Sequence, residues 1–203
     1  MINTLLFLSD THGFHRRLRN LPEADVLVHG GDFCMNGTED EALDFMNWLC
    51  DLPYRHKIFI LGNHDTCLHG ARVDGLDTNC HLLSHESITL EGVTFYSLPF
   101  FIEGFENRRV KAVPPGVDVL VSHQPPFGVL DEDSIEGVSI CYGSEVLREQ
   151  VLETKPAYHL FGHVHAAYGT VRRGITTFAN GALLREDGSL RPPLLLRLQG
   201  KNG

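Results

Sequence analysis

Long apolar runs are missing from this 203-residue chain, and no stretch comes near the roughly 18 consecutive apolar residues that a membrane-crossing helix needs. Paired cysteines are missing too. The five present, Cys34, Cys50, Cys67, Cys80 and Cys141, are odd in number, scattered and never spaced C-x-x-C, which argues against a disulfide framework and against a thiolate zinc site. Positive charge is scarce: 17 Lys and Arg against 26 Asp and Glu give a formal net charge of −9. Such a chain repels polyanions, so long nucleic acid is not an expected partner, whereas a small substrate remains open. No basic segment or small-residue cleavage site accompanies the first apolar run, Thr4-Leu5-Leu6-Phe7-Leu8, so a cytoplasmic protein without a membrane partner is the expectation.

The remaining composition is ordinary, 42% hydrophobic and 21% charged, which excludes a disordered or collagenous chain. The length suits one domain by the prior of roughly 100–200 residues each. That domain is expected over 1–199, with 200–203 a frayed tail.

Short apolar runs bounded by Gly, Asp or Asn recur at 4–9, 25–29, 57–61, 118–122, 158–161, 174–179 and 194–198. Runs of that length, rich in Val, Ile and Phe, read as buried strands. Residues 87–98 alternate about Glu91-Gly92, a hairpin signal. A helix is predicted from Thr38, whose hydroxyl can cap while Glu41 reaches back, with Ala42, Phe45, Met46 and Leu49 at helical spacing. A second runs from about Ser144 to Thr154, before Pro156. Strands that first alternate with helices and then turn hairpin-rich suggest a mixed α/β layer fold. The long segments 66–81 and 99–116 are weakly periodic, and loops of that length in compact domains are usually functional or mobile.

Histidine is the outlier, twelve in all. Where five successive predicted major strands stop, the chain reads Ser9-Asp10-Thr11-His12, Gly30-Gly31-Asp32, Gly62-Asn63-His64-Asp65, Ser122-His123 and Gly162-His163-Val164-His165. Ligands gather at the C-terminal ends of strands in open α/β sheets. Gly31, Gly62 and Gly162 each stand directly before a candidate ligand, where a residue without Cβ permits close backbone approach. Carboxylate with imidazole suits borderline divalent cations such as Mn²⁺, Fe²⁺ and Zn²⁺. Seven donors exceed one tetrahedral ion. Two ions about 3.5–4 Å apart, bridged by one carboxylate, would use them all, and Asp32, which arrives without a paired ligand, is the expected bridge. Turn chemistry is the bland alternative, since Asp and Asn after strands commonly turn or cap.

In order, D-x-H, G-D, G-N-H-D, H and G-H-x-H resemble the pattern of the calcineurin-like metallophosphoesterase superfamily. The stretch His123-Gln124-Pro125-Pro126-Phe127-Gly128-Val129-Leu130-Asp131, with Gly143-Ser144, looks further like its metallophosphoesterase-domain-containing (MPPED-like) phosphodiesterase branch. The resemblance implies a four-layer α/β sandwich, with two mixed β-sheets flanked by helices and a dimetal site at strand C-terminal ends. It places Asp10, His12 and His165 on one metal, and Asn63, His123 and His163 on the other, with Asp32 bridging. His64 looks like the catalytic histidine, with Asp65 its orienting partner. Ala166-Ala167 depart from the acidic residue and Gly usual in that branch.

The implied function is hydrolysis of a small phosphodiester, including a cyclic nucleotide, by attack of a metal-bridging hydroxide, with Mn²⁺ favoured over Fe or Zn²⁺. A phosphomonoesterase is the alternative within the enzyme class, and a non-catalytic scaffold on the same fold the alternative outside it. His29 and His159 fall within predicted strands and read as core or supporting groups, and His15, His56, His69, His81 and His85 as structural or solvated. Arg108, Arg109 and Lys111 follow Phe100, Phe101 and Phe105, a set that could stack a base or pin the loop to the core; pinning is favoured.

Overall fold

The computed structural model describes residues 1–99 and 112–198. The basic aromatic segment at 100–111 and the predicted tail lie outside the described residues. In chain order the strands are β1 (Thr4–Leu8), β2 (Val26–His29), β3 (His56–Phe59), β4 (Cys80–Leu82), β5 (Ser87–Leu90), β6 (Val93–Leu98), β7 (Val119–Ser122), β8 (Glu132–Ile135), β9 (Val138–Cys141), β10 (Tyr158–Phe161), β11 (Gly169–Arg173), β12 (Thr176–Asn180) and β13 (Leu194–Arg197). The helices are α1 (Glu39–Asp51) and α2 (Glu145–Thr154).

Sheet one runs β13-β1-β2-β3-β4, parallel except for β13, and sheet two runs β11-β12-β10-β7-β6-β5, with antiparallel β11 and β5 at its edges. Strand alternation assigns the faces. Leu5, Phe7, Val26, Val28, Ile58 and Ile60 meet Phe95, Val119, Val121, Leu160 and Ala179 in a core between the sheets. On the opposite face of sheet one, Leu6, Leu8, Leu27 and Phe59 receive Phe45, Trp48 and Leu49 of α1. On the outer face of sheet two, Tyr96, Leu98, Leu120 and Phe161 receive Leu147 and Val151 of α2. The layers are therefore helix, sheet, sheet, helix, as the resemblance implied.

The helix signals hold in detail. Thr38 Oγ1 accepts the Glu41 N–H at 3.3 Å while Glu41 Oε2 accepts the Thr38 N–H at 3.1 Å, which pairs two N–H groups that the first turn leaves free. Strands β4 and β11 and the β8–β9 hairpin escape the sequence reading. The segment 66–81 is no featureless loop: it carries a 3-10 turn at Thr66–Leu68, and β4 begins at Cys80. Among the described residues no helix is long and apolar enough to cross a membrane.

Candidate metal centre

The five ligand-bearing strand ends are divided between the sheets. β1, β2 and β3 are parallel neighbours in sheet one, β7 and β10 are parallel neighbours in sheet two, and β4 to β6 intervene in the chain. The five strands thus form two runs, one in each of the two expected sheets, whose carboxyl ends face one another. The Gly31 carbonyl accepts the Asp10 N–H at 2.9 Å, and the Asp32 carbonyl accepts the His12 N–H at 3.0 Å, joining the turns after β1 and β2. The His123 carbonyl accepts the Gly162 N–H at 3.0 Å, joining those after β7 and β10. Across the seam, the Asp10 carboxylate accepts the His163 N–H at 3.0 Å.

Asp10, His12, Asp32 and His163 all have positive φ, at 54°, 42°, 55° and 68°. Non-glycine residues enter this left-handed region uncommonly, and such conformations persist only where the surroundings enforce them. Glycine does a different job beside them. A Cβ on Gly62 would lie 2.1 Å from Asp32 Oδ1, and one on Gly162 would lie 2.0 Å from Asp10 Oδ2. Hydrogen is the only side chain that lets these turns close over the carboxylates.

The donor atoms fall into three overlapping groups, each within 4.8 Å: Asp10, His12 and His165; His12, Asp32 and His64; and Asp32, His123 and His163. Asn63 joins the last, its Oδ1 lying 2.9 Å from His123 Nε2 and 3.1 Å from His163 Nδ1. Asp32 stands between the ends of the set, with Oδ2 3.3 Å from His123 Nε2 and 3.9 Å from His12 Nε2. All seven candidate ligands named from the sequence therefore converge, with His64 alongside.

Backbone carbonyls set the imidazoles. Nδ1 of His12, His64, His123 and His165 lies 3.2, 2.8, 2.9 and 2.7 Å from the carbonyls of Cys34, Met35, Gly30 and Leu184. A carbonyl can only accept, so Nδ1 carries the hydrogen and Nε2 is left to face the centre, the tautomer a ligating histidine needs. Asp65 departs from the sequence reading. Rather than meeting the His64 ring, its Oδ2 accepts the N–H groups of Asp32 and Gly62, both at 2.8 Å, and its Oδ1 accepts that of Cys34 at 2.9 Å. The Met35 carbonyl orients His64 instead, and both Asp65 oxygens are taken up by backbone N–H groups.

Asp10 is fully buried and Asp32 is 2% exposed, so their charge needs compensation. Among the described residues only histidines pair with them. Burial works to raise the Asp10 carboxyl, but the His165 hydrogen bond and the charges of His123, His165 and His12 outweigh it and hold it well below the usual range. Burial likewise opposes protonation of His123, yet the Asp32 carboxylate lifts it to about 10. Burial pushes His163 down to about 4. Two buried carboxylates faced by imidazoles alone leave the pocket short of fixed positive charge, and its mixed carboxylate, imidazole and amide donors fit borderline divalent cations.

Residues 4–167 match the calcineurin-like phosphoesterase family. The chain belongs to that family. It is 36% identical to UPF0046 protein K07C11.7 of Caenorhabditis elegans over 86% of this chain and 68% of that protein. With metallophosphoesterase domain-containing protein 1 of Homo sapiens it shares 30% identity, over 94% of this chain and 69% of the relative. The solved structure of TT1561 of Thermus thermophilus superposes with a TM-score of 0.57 at 11% identity, covering 89% of each chain, a likeness of fold. Family membership supports a phosphoric ester hydrolase with a metal centre.

Beside His163 and His165 opens a cleft of about 810 Å³, lined also by Asp133, Tyr142, Arg185 and Arg191. None of these four was singled out from the sequence, and Asp133 and Tyr142 flank or belong to the unforeseen β8–β9 hairpin. Asn180 was missed as well: its Nδ2 donates to the Val164 carbonyl at 2.9 Å, bracing the turn that carries His163 and His165. A buried Asn at the end of a strand was the available signal.

Proposed function

We propose that this chain, as one domain over residues 1–199, is a dimetal phosphodiesterase of small substrates in a reducing, cytoplasmic setting. Asp10, His12 and His165 hold one divalent cation, Asn63, His123 and His163 hold the second, and Asp32 is shared; Mn²⁺ is the favoured ion, with Fe or Zn²⁺ suiting the same donors. The observation that carries this reading is the position of Asp32, grouped with His12 and His64 on one side and with His123 and His163 on the other. Five free cysteines are in keeping with the compartment.

When bound, such a cation pair supplies Lewis acidity, making hydroxide available from water near neutral pH and offsetting the charge on phosphoryl oxygens. The protein's own share is arrangement. The left-handed turns and the four carbonyl-anchored imidazoles hold the donors before any ion arrives, so little reorganisation remains at the moment of reaction. His64, fixed through Nδ1 by Met35, turns Nε2 to the centre; with a second proton taken up there from water, the imidazolium gives that Nε2 proton to the departing oxygen and returns to the Nδ1–H form. Asp65 acts at one remove, through the backbone of Asp32 and Gly62. The cleft holding Tyr142, Arg185 and Arg191 has the size of a pocket for a small organic ligand, room for the second esterified group of a diester.

The test is hydrolysis of bis(p-nitrophenyl) phosphate beside p-nitrophenyl phosphate, on chelator-stripped protein given back Mn²⁺. Metal-restored turnover favouring the diester is expected. Preference for the monoester would make the protein a phosphomonoesterase, and two bound ions with no turnover of either would shift the reading to a highly selective enzyme or to a scaffold on the same fold.

A further inference from the structure

His29, the last residue of β2, is fully buried and lies outside every donor group. Its Nδ1 lies 3.2 Å from the backbone nitrogen of Gly31, and its Nε2 lies 3.1 Å from Thr11 Oγ1. A backbone N–H can only donate, so Nδ1 carries the lone pair, and the hydrogen of the neutral ring sits on Nε2, pointing at the threonine hydroxyl. Both partners are placed tellingly. Thr11 lies between Asp10 and His12, and Gly31, with φ at 96°, directly precedes Asp32. One side chain thus grips the middle of two turns whose neighbouring residues have left-handed backbone. The ring cannot easily swing away, because Phe45 meets it at 4.7 Å and Phe33 at 5.9 Å between centroids.

We propose that His29 is a positioning residue for the metal centre, tying the Asp10–His12 turn to the Asp32 turn and so presetting the spacing between the donors of one ion and the shared carboxylate. The inference rests on the dimetal reading above. A core histidine present only to fill space would need neither hydrogen bond, and leucine would serve. A positioning histidine must keep Nδ1 as acceptor and Nε2 as donor together, which no other single side chain reproduces at this spacing.

The test compares wild type, His29→Leu, Thr11→Val and the double variant by Mn²⁺ titration against a chromophoric chelator, with thermal unfolding of each chelator-stripped protein alongside. Supporting groups around metal ligands are commonly worth about 10- to 100-fold in affinity. The expected result is a weakening of that order in His29→Leu, a smaller weakening in Thr11→Val, and no further loss when Thr11→Val is added to His29→Leu. Thr11→Val is close to isosteric and carries the comparison should His29→Leu fail to fold. Wild-type Mn²⁺ affinity in folded Thr11→Val overturns the proposal, as does strictly additive weakening in the double variant. A wild-type protein that binds no Mn²⁺ overturns the dimetal reading itself, and that failure shows in the control rather than in the variants.

Discussion

The Asp65 carboxylate holds the backbone of Asp32, accepting its N–H at 2.8 Å, and so supports a neighbouring carboxylate rather than the histidine it follows in sequence. Burial pushes the Asp65 carboxyl up to about 7, with the Asp32 charge adding to the push against the N–H donors that favour its ionised form.

Asp65→Asn distinguishes the two roles. An amide has one acceptor oxygen, so an NH₂ must face at least one of the N–H groups of Asp32, Gly62 and Cys34, and an unpaired buried donor costs about 1–3 kcal/mol. The expected outcome is a lower melting temperature in chelator-stripped protein, seen by circular dichroism. Unchanged stability with a reduced kcat would return Asp65 to service of the His64 ring.

Asp32→Ala removes the carboxylate common to two donor groups. Metal content by atomic emission is expected to fall from two ions per chain to none, with activity falling to background. Two ions retained per chain would show that Asp32 is not shared.

His64→Ala leaves the seven assigned donors in place, so metal content should hold while turnover slows. A positioned general acid contributes about 10²–10⁴-fold, and the loss should grow as the leaving group becomes more basic. Rates across aryl and alkyl esters measure this; an alkyl ester cleaved at the wild-type rate would remove His64 from that role.

Away from the site, the Asp25 carboxylate accepts the N–H groups of Asn3 and Thr4 at 2.8 and 2.9 Å and pairs with Arg55. These contacts, the Asn3 N–H foremost, lower its pKa to about 2. Because the folded value lies below the unfolded value of about 3.9, the stabilisation is fully present above the unfolded value and is lost as pH falls through the folded one. Asp25→Asn should therefore melt earlier than wild type at pH 6, with the gap closing toward pH 2 in a series of thermal melts.

Much of this was legible from residues alone. Thr38 and Glu41 announced α1, Glu91-Gly92 announced a hairpin, and the Asp, Asn and His residues that leave strand ends announced the centre, because each signal is local: a cap, a turn, a strand that stops. What stayed hidden depends on partners distant in sequence. Nothing in the order of strands tells that β7 and β10 belong to a second sheet. The β8–β9 hairpin turns at Glu136-Gly137, yet Glu132, Asp133 and Ser134 lack the apolar alternation that marks a strand with one buried face. The resemblance pairs Asp65 with His64, whereas its hydrogen bonds go to the backbone of Asp32, Gly62 and Cys34. For His29 the sequence leaves core and supporting roles undivided, because its partners, the Thr11 hydroxyl and the Gly31 N–H, are of no distinctive type.

The division of donors between the two sheets has a consequence for how the chain comes into being. Asp10, His12, Asp32 and Asn63 are all made before residue 64, and His123, His163 and His165 only in the later half. A chain halted midway, or one whose halves have come apart, carries an incomplete set on either side. Catalytic competence is thus a certificate of assembly: the protein could not begin cleaving phosphoesters while still emerging or half-folded, and an ion pair lodged at the seam would rivet the finished halves together, raising stability with free metal as any ligand selective for the native state does.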